Sequence, residues 1–129
     1  MRAAASAGLI HSTVEGMLSR MAGLELIQGT LDFLVLQTLS RQALHGYDIA
    51  RSIREGSGES FRILDGALYT ALHRMEERGW IESEWGISER GKRAKFYQLT
   101  ALGRKALKAE ADNWGRYVAA VGRIVKASL

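Results

Sequence analysis

The sequence predicts a mainly α-helical chain with one small β-hairpin and a long helix at the C-terminal end. Three observations support this fold class. Apolar residues recur at helical spacing in three short segments between Thr30 and Gly79. Aromatic and β-branched residues then flank a glycine-containing loop, which is typical of paired strands. From Thr100 the helical spacing returns and continues almost to the last residue.

The composition is that of an ordinary globular chain, with 129 residues, 47% hydrophobic and 25% charged, enough to bury a single core. Cysteine is absent, which excludes disulfides, thiolate nucleophiles and cysteine-ligated zinc or iron–sulfur sites. No apolar run approaches the ~20 residues of a membrane helix. The Ala-rich stretch 3–10 is followed directly by His11, which is unlike a secretory signal. We therefore expect no membrane association and a cytoplasmic location.

Residues 1–23 are rich in alanine, serine and glycine, and we interpret them as an N-terminal extension that is partly ordered or helical. Apolar residues recur there at helical spacing, namely Ile10, Val14, Met17, Leu18 and Met21. A frayed helix that leans on the domain or on a second subunit would give this pattern. Alternatively, Met17 or Met21 could be the biological start.

The first firm helix is predicted over residues 30–41. Its apolar positions and one threonine follow the i, i+3, i+4, i+7 pattern: Leu31, Leu34, Val35, Thr38 and Leu39. Thr30 is placed to cap this helix. Asp32 falls in the first turn, where the helix dipole favours a carboxylate.

Two further short helices follow in the sequence. The second is predicted over 46–55, because Gly46 permits a tight turn before it and the Gly-Ser-Gly run 56–58 ends it. Its apolar side comprises Ile49, Ala50 and Ile53. The third follows Asp65, a favourable N-cap residue, and stops at Gly79. Its inner face comprises Leu68, Ala71, Leu72 and Met75. Three short helices in about 50 residues predict a helix-turn-helix core.

A two-stranded hairpin is predicted next, with strands over 80–85 and 93–99 and a long loop over 86–92. Phe96 and Tyr97 lie inside the second strand, so we expect them to pack on the core and the edge of the sheet.

The final helix begins after Thr100, a suitable cap residue. Its apolar residues are spaced alternately four and three apart, close to the ~3.5-residue repeat of a coiled-coil seam. They are Leu107, Ala111, Trp114, Val118, Val121 and Val125. A single amphipathic helix with such a seam needs a partner.

No constellation of catalytic residues is visible in the sequence. The three histidines, His11, His45 and His73, lack metal-ligand spacing, and no nucleophile elbow or phosphate-binding glycine loop occurs. We expect no enzyme activity, no metal site and no cofactor.

Positive charge is concentrated in the last third of the chain. Residues 87–129 hold ten basic and three acidic side chains, a net of +7, whereas residues 24–86 have a net of −4. Four cations fall within six residues of the hairpin: Arg90, Lys92, Arg93 and Lys95. A solvated charge run is the simplest explanation, but a basic loop beside a helix-turn-helix core is suited to binding the phosphate backbone of DNA.

The outer face of the third helix is polar. The ~100° advance per residue places a hydrogen-bonding set there, with Tyr69 at its edge: Gly66, Thr70, His73, Arg74 and Glu77. Any surface helix can look like this. Such a face also fits a DNA major groove, where arginine pairs with guanine and small or hydroxyl residues meet other base edges.

Five motifs resemble, in order and spacing, the PadR family of bacterial transcriptional regulators. They are Gly29-Thr30-Leu31, the run 44–49 (LHGYDI), the run 68–76 (LYTALHRME), Gly79-Trp80-Ile81 and the run 95–103 (KFYQLTALG). The resemblance extends from Gly29 to Trp114. It implies a winged helix-turn-helix domain followed by a C-terminal dimerisation helix.

The resemblance also implies a function. Family members bind palindromic operators, usually as repressors, and some release DNA when a small aromatic molecule binds at the dimer interface. The resemblance implies DNA contacts by Tyr47, Tyr69 and the basic loop. Together with the outer face of the third helix, the expected DNA-binding residues are Tyr47, Tyr69, Thr70, His73, Arg74, Arg90, Lys92, Arg93 and Lys95. Trp114 falls where some members carry a ligand-lining tryptophan, although it could equally be a plain seam residue of the dimer. Many members carry a proline before the Leu-Tyr pair and another after the tyrosine, where this chain has Asp65-Gly66 and Thr70, so the operator sequence stays open.

The expected organisation is therefore an extension over 1–23, a DNA-binding domain over 24–100 and a dimerisation helix over 101–129. Two other functions are compatible with the fold: a ligand-sensing module, and a protein-interaction module without operator reading.

Overall fold

The computed structural model describes residue 26 and residues 29–128, so the predicted extension over 1–23 lies outside the described residues. The described chain is mainly helical, with a small antiparallel sheet and a long C-terminal helix. Its elements in order are α1 (Thr30–Leu39), β1 (Leu44–His45), α2 (Gly46–Gly56), α3 (Asp65–Glu77), β2 (Ile81–Ile87), β3 (Arg93–Leu99) and α4 (Ala101–Ser128). The predicted fold class is confirmed.

The sheet has three strands in the order β1-β3-β2, all antiparallel. Leu44 of β1 pairs with Tyr97 of β3, whose other edge pairs with β2 along its whole length. The predicted hairpin therefore gains a third strand, β1, which has only two residues and no periodicity that a sequence pattern could reveal. The loop between β2 and β3 is shorter than predicted, spanning residues 88–92. It is closed by a 2.7 Å bond from the Ser88 amide to the Lys92 carbonyl.

The core lies between α1, α2, α3 and the sheet. Its buried side chains are Val35, Leu36, Leu39, Ile49, Ile53, Leu68, Ala71, Leu72, Met75, Ile81, Tyr97 and Leu99. The four α3 residues in this set are those predicted for its inner face. Burying this face fixes which side of α3 meets solvent.

Two predicted N-caps are wrong by one residue. Thr30 is the first residue of α1, and the cap position is Gly29, with φ of 88° and no side-chain cap bond. Asp65 is likewise the first residue of α3, because the Leu64 carbonyl already accepts a 3.0 Å bond from the Leu68 amide. Because Asp65 lies in the first turn of α3, its carboxylate still interacts favourably with the helix dipole.

The end of α3 is joined to the start of α4. Gly79 adopts φ of 77°, and the Trp80 amide donates back to the Met75 carbonyl at 3.0 Å, a helix-ending arrangement that favours glycine. Thr100 Oγ1 donates to the Gly79 carbonyl at 2.6 Å and accepts from the Gly103 amide at 3.0 Å. The predicted cap at Thr100 is thus confirmed, and it also ties α4 to α3.

This junction requires a glycine at 103. A Cβ built on Gly103 would lie 1.9 Å from the Trp80 carbonyl oxygen, which is backbone and cannot rotate away. We expect Gly103→Ala to lower the free energy of unfolding by about 1–3 kcal/mol, since overpacking a rigid contact outweighs the gain in helix propensity.

Gly115→Ala is the matched control, because a Cβ on Gly115 of the same helix meets nothing within 4 Å. That variant should be neutral or stabilised by up to about 1 kcal/mol. Urea unfolding of both variants followed by circular dichroism is the measurement. Equal stability of the two variants would contradict the close contact at Trp80.

Candidate nucleic-acid interface

A cleft of about 630 Å³ opens between the start of α2, the exposed edge of α3 and the outer half of the hairpin. Residues from all three elements line it, including Tyr47, Tyr69, Arg90, Lys92, Arg93 and Lys95. Six of the nine residues predicted to bind DNA are therefore brought together around one cavity, although they come from segments far apart in the sequence.

Tyr69 of α3 is seated against the first residue of α2. A Cβ added to Gly46 would lie 2.6 Å from the Tyr69 hydroxyl oxygen, so the ring fits in this position only beside glycine. Gly46 is buried while Tyr69 keeps 52% of its surface exposed. The close approach of α2 and α3 thus holds an exposed tyrosine at the floor of the cleft.

The first turn of α2 holds a polar network around Asp48. His45 Nδ1 accepts from the Asp48 amide at 3.4 Å, and His45 Nε2 lies 3.3 Å from the Asp48 carboxylate. The same carboxylate pairs with Arg51 at 3.0 Å. These contacts cap α2 and fix the segment from which Tyr47 projects into the cleft.

The ring of Tyr47 is flanked by two guanidinium groups. Arg51 of α2 lies 5.9 Å from the ring centroid, and Arg90 of the hairpin loop lies 5.5 Å from it. Both distances are within the range of cation–π attraction. Tyr47 therefore links the hairpin loop to α2 across the cleft.

The hairpin presents one mixed face of cations and apolar side chains. Trp85 pairs with Lys95 and Ile87 with Arg93, so all four lie on the same side of the sheet. The Arg93 guanidinium stacks on the Trp85 ring at 4.3 Å. Trp85 and Ile87 were not predicted as site residues. The alternation of side chains along β2 could have revealed them, because it places Trp85 and Ile87 on the same face as buried Ile81.

Tyr97 connects the cleft to the core. Burial raises the pKa of its hydroxyl above the ordinary value, and the negative charge of Glu76 and the neighbouring Tyr69 raise it further. Glu76 in turn accepts a 2.6 Å hydrogen bond from Ser83 of β2. Tyr97 therefore stays neutral at physiological pH beneath the exposed Tyr69.

The outward side of α3 exposes Thr70 and His73, as predicted for its outer face. Arg74 behaves differently, because its guanidinium donates to the carboxylate of Asp32 on α1. Arg78 approaches the other oxygen of the same carboxylate at 3.9 Å. The sequence did not predict this ion pair between residues 42 positions apart.

The predicted seam of α4 divides into two parts. Leu107 is half-buried and packs on the core. Beyond it, Val118, Val121 and Val125 are 48%, 42% and 53% exposed, and Ala111 is exposed as well. The described residues thus leave an apolar stripe on the C-terminal half of α4 open to solvent.

Trp114 lies where this stripe meets α1. Its ring is 6.4 Å from that of Phe33 and stacks on that of Tyr117 at 5.9 Å. A small cavity of about 180 Å³ adjoins the three rings and is also lined by Glu110 and Asn113.

The described residues contain no group of His, Asp and Glu side chains that could hold a metal ion. None of the described helices is both long and apolar enough to cross a membrane.

Comparison with known proteins gives consistent matches. The sequence pattern of the transcriptional regulator PadR-like family matches residues 35–109. An uncharacterised protein of Lysinibacillus sphaericus is 33% identical over 91 residues, which are 70% of this chain and 83% of that protein.

Two solved structures are informative. A transcriptional regulator from Clostridium thermocellum is 31% identical with a TM-score of 0.70, covering 77% of this chain and 96% of that chain. Bacillus subtilis PadR, solved in complex with operator DNA, is 25% identical with a TM-score of 0.58. That match covers 66% of this chain and 48% of the Bacillus chain, so it extends over about half of the larger protein.

Proposed function

The chain belongs to the transcriptional regulator PadR-like family, and from this premise we propose that it is a homodimeric repressor that binds a palindromic DNA operator. Membership of the family makes it a DNA-binding transcriptional regulator rather than an enzyme. The cleft with its basic hairpin is the observation that carries the operator-binding proposal. We place the protein in the cytoplasm, where bacterial DNA is found.

We assign the contacts with the DNA phosphate backbone to the residues of the cleft. Its cations can neutralise phosphates, and the hydroxyls of its two half-exposed tyrosines can donate to phosphate oxygens. The residues assigned to this role are Tyr47, Tyr69, Arg90, Lys92, Arg93 and Lys95. Arg93 stacks on Trp85 and Arg90 on Tyr47. These long side chains are therefore partly ordered in the free protein and lose less conformational entropy when they bind DNA.

We assign base reading to the outward face of α3. Thr70 and His73 are exposed there and can donate or accept hydrogen bonds at base edges. Arg74 is the third candidate, and it must leave Asp32 before it can reach a base. Its contribution to binding is therefore reduced by the ion pair that it gives up.

The hairpin assignment predicts a salt effect. We expect Lys92→Ala/Arg93→Ala to bind every DNA sequence more weakly, by tenfold or more near physiological salt. The slope of log affinity against log salt should fall by about 1 for each lost phosphate contact. Gel-shift or fluorescence-anisotropy titrations with the region upstream of the gene, over a salt series, measure both quantities.

Lys105→Ala/Lys108→Ala is the matched control, because it removes the same charge from exposed positions of α4 outside the cleft. That variant should retain most of the affinity and the slope. An unchanged affinity and slope in the Lys92→Ala/Arg93→Ala protein would exclude the hairpin as a phosphate contact. No binding to any DNA by the unaltered protein would favour a protein-interaction module instead.

The dimer proposal rests on α4. Large exposed apolar stripes are uncommon on monomers, and a second copy of the same stripe would cover it by two-fold symmetry. In this arrangement residues 24–100 form the DNA-binding domain and residues 101–129 form the dimerisation helix, with 1–23 as an extension. Half-sites should lie about one helical turn, ~10 bp, apart.

Val118→Asp tests the interface. A carboxylate buried in an apolar seam without a partner is costly, so we expect this variant to be monomeric or unfolded. Ala109→Asp adds the same charge on the opposite side of α4 and should stay dimeric. Analytical ultracentrifugation gives the oligomeric state, and a folded, dimeric Val118→Asp protein would place the interface elsewhere.

A small aromatic effector is the second candidate function. The aromatic cluster of Phe33, Trp114 and Tyr117 beside a cavity supports it, since flat apolar slots suit planar ligands. We propose that such a ligand, bound at Trp114 and its symmetry mate, releases the operator. Packing of Trp114 within the dimer seam is the alternative.

Trp114 fluorescence separates these two roles. With Trp80→Phe and Trp85→Phe in place, emission reports Trp114 alone, since the chain has three tryptophans. Titration with planar aromatic compounds should quench or shift the emission and weaken operator binding in parallel. A panel that changes neither emission nor DNA affinity would favour the seam role.

A further inference from the structure

The fold does not explain why a leucine stands at position 64. It is the N-cap of α3 and makes no side-chain cap bond, although Ser, Thr, Asp and Asn are strongly preferred there. It is also 77% exposed, the most exposed large apolar side chain in the described part of the chain. Leucine is thus unfavourable here both as a cap and as a surface residue. Such local conflicts are expected at functional positions.

Apart from the carboxylate of Asp65 and the ring of Tyr69, which is seated against Gly46, the exposed residues in the first two turns of α3 are small or carry methyl groups. Gly66, Ala67 and Thr70 are all exposed within the first two turns. These residues offer two methyl groups and one hydroxyl to a partner, and the glycine allows close approach. Leu64 adds two more methyl groups at the tip of the helix.

The first two turns of α3 carry no cation, and Arg62, exposed in the segment before Leu64, lines a separate cavity with Arg54 and Glu59. The nearest arginine on α3 is Arg74, whose guanidinium is taken up by Asp32. Arginine pairing with guanine is the commonest specific contact in a major groove. The start of α3 therefore lacks the group that would read guanine and carries groups that fit an apolar base edge.

We propose that the N-terminal end of α3 reads the 5-methyl groups of thymine through Leu64, Ala67 and the methyl of Thr70. The inference rests on the proposed operator binding and names the bases that this part of the helix selects. N-terminal residues of a recognition helix meet base edges in the major groove, and thymine is the base that presents a methyl group there. Each operator half-site should then carry A·T pairs where α3 begins.

The test uses the full-length protein and a duplex library with a randomised core. Enriched duplexes are resynthesised with each thymine replaced singly by deoxyuridine, which removes only the methyl group. We expect about a fourfold loss of affinity for each contacted methyl, the loss that corresponds to burying one such group. The loss should be confined to one or a few thymines in each half-site.

Leu64→Ala identifies the residue responsible. The side chain is exposed, so this variant should keep its far-ultraviolet circular dichroism spectrum, and it should no longer distinguish thymine from uracil at one position. Leu102→Ala is the control, because it removes another exposed apolar side chain, 51% exposed, from α4 outside the cleft. That variant should keep the full discrimination.

The outcomes separate the two proposals. No enrichment of any duplex would contradict operator binding itself. Enrichment with no effect of deoxyuridine at any thymine, or with the effect intact in Leu64→Ala, would overturn the thymine-reading inference while leaving operator binding in place.

Discussion

The contact between Gly103 of α4 and the Trp80 carbonyl is the constraint on which the rest of the structure depends. Trp80 lies between the end of α3 and the start of β2, and Gly103 lies in the first turn of α4, shortly after the end of β3. The Trp80 carbonyl also accepts from the Thr100 amide at 3.0 Å, so one peptide group fixes three elements. With both ends of the hairpin held against α3, the hairpin loop projects over the start of α2, and the cleft exists between them.

Charge is distributed unevenly over the surface that results. Cations are gathered on the hairpin, where Arg90, Lys92 and Arg93 are exposed and two of them stack on aromatic rings. Arg74 of α3 and Arg78 directly after it are directed to one carboxylate on α1. This division fits the proposed roles, in which the hairpin binds the phosphate backbone and α3 reads base edges.

Helix α1 contacts both α3 and α4 through adjacent residues. Asp32 pairs with Arg74 of α3, and Phe33 meets Trp114 of α4. The helix that carries the exposed apolar stripe and the helix proposed to read DNA are therefore both packed on a single element. Its buried residues, Val35, Leu36 and Leu39, anchor it in the core.

Local sequence patterns were sufficient to predict much of the secondary structure of this protein. Helical spacing predicted all four helices of the described residues, the glycine at 79 predicted the end of α3, and Thr100 predicted the cap of α4. Each of these features depends on residues within a turn or two of one another, and so leaves a signal in a short window. The motifs from Gly29 to Trp114 added the family and hence the winged helix-turn-helix fold.

Tertiary structure alone decided how these elements meet. Four contacts join residues that are distant in the chain or lie on neighbouring strands. β1 pairs with β3, Tyr69 packs against Gly46, Arg93 stacks on Trp85 and Arg74 pairs with Asp32. Periodicity says which side of an element is buried, but not which partner it meets. Arg74 illustrates the difference: the sequence placed it on the outer face of α3, and the approach of α1 gave its guanidinium a carboxylate.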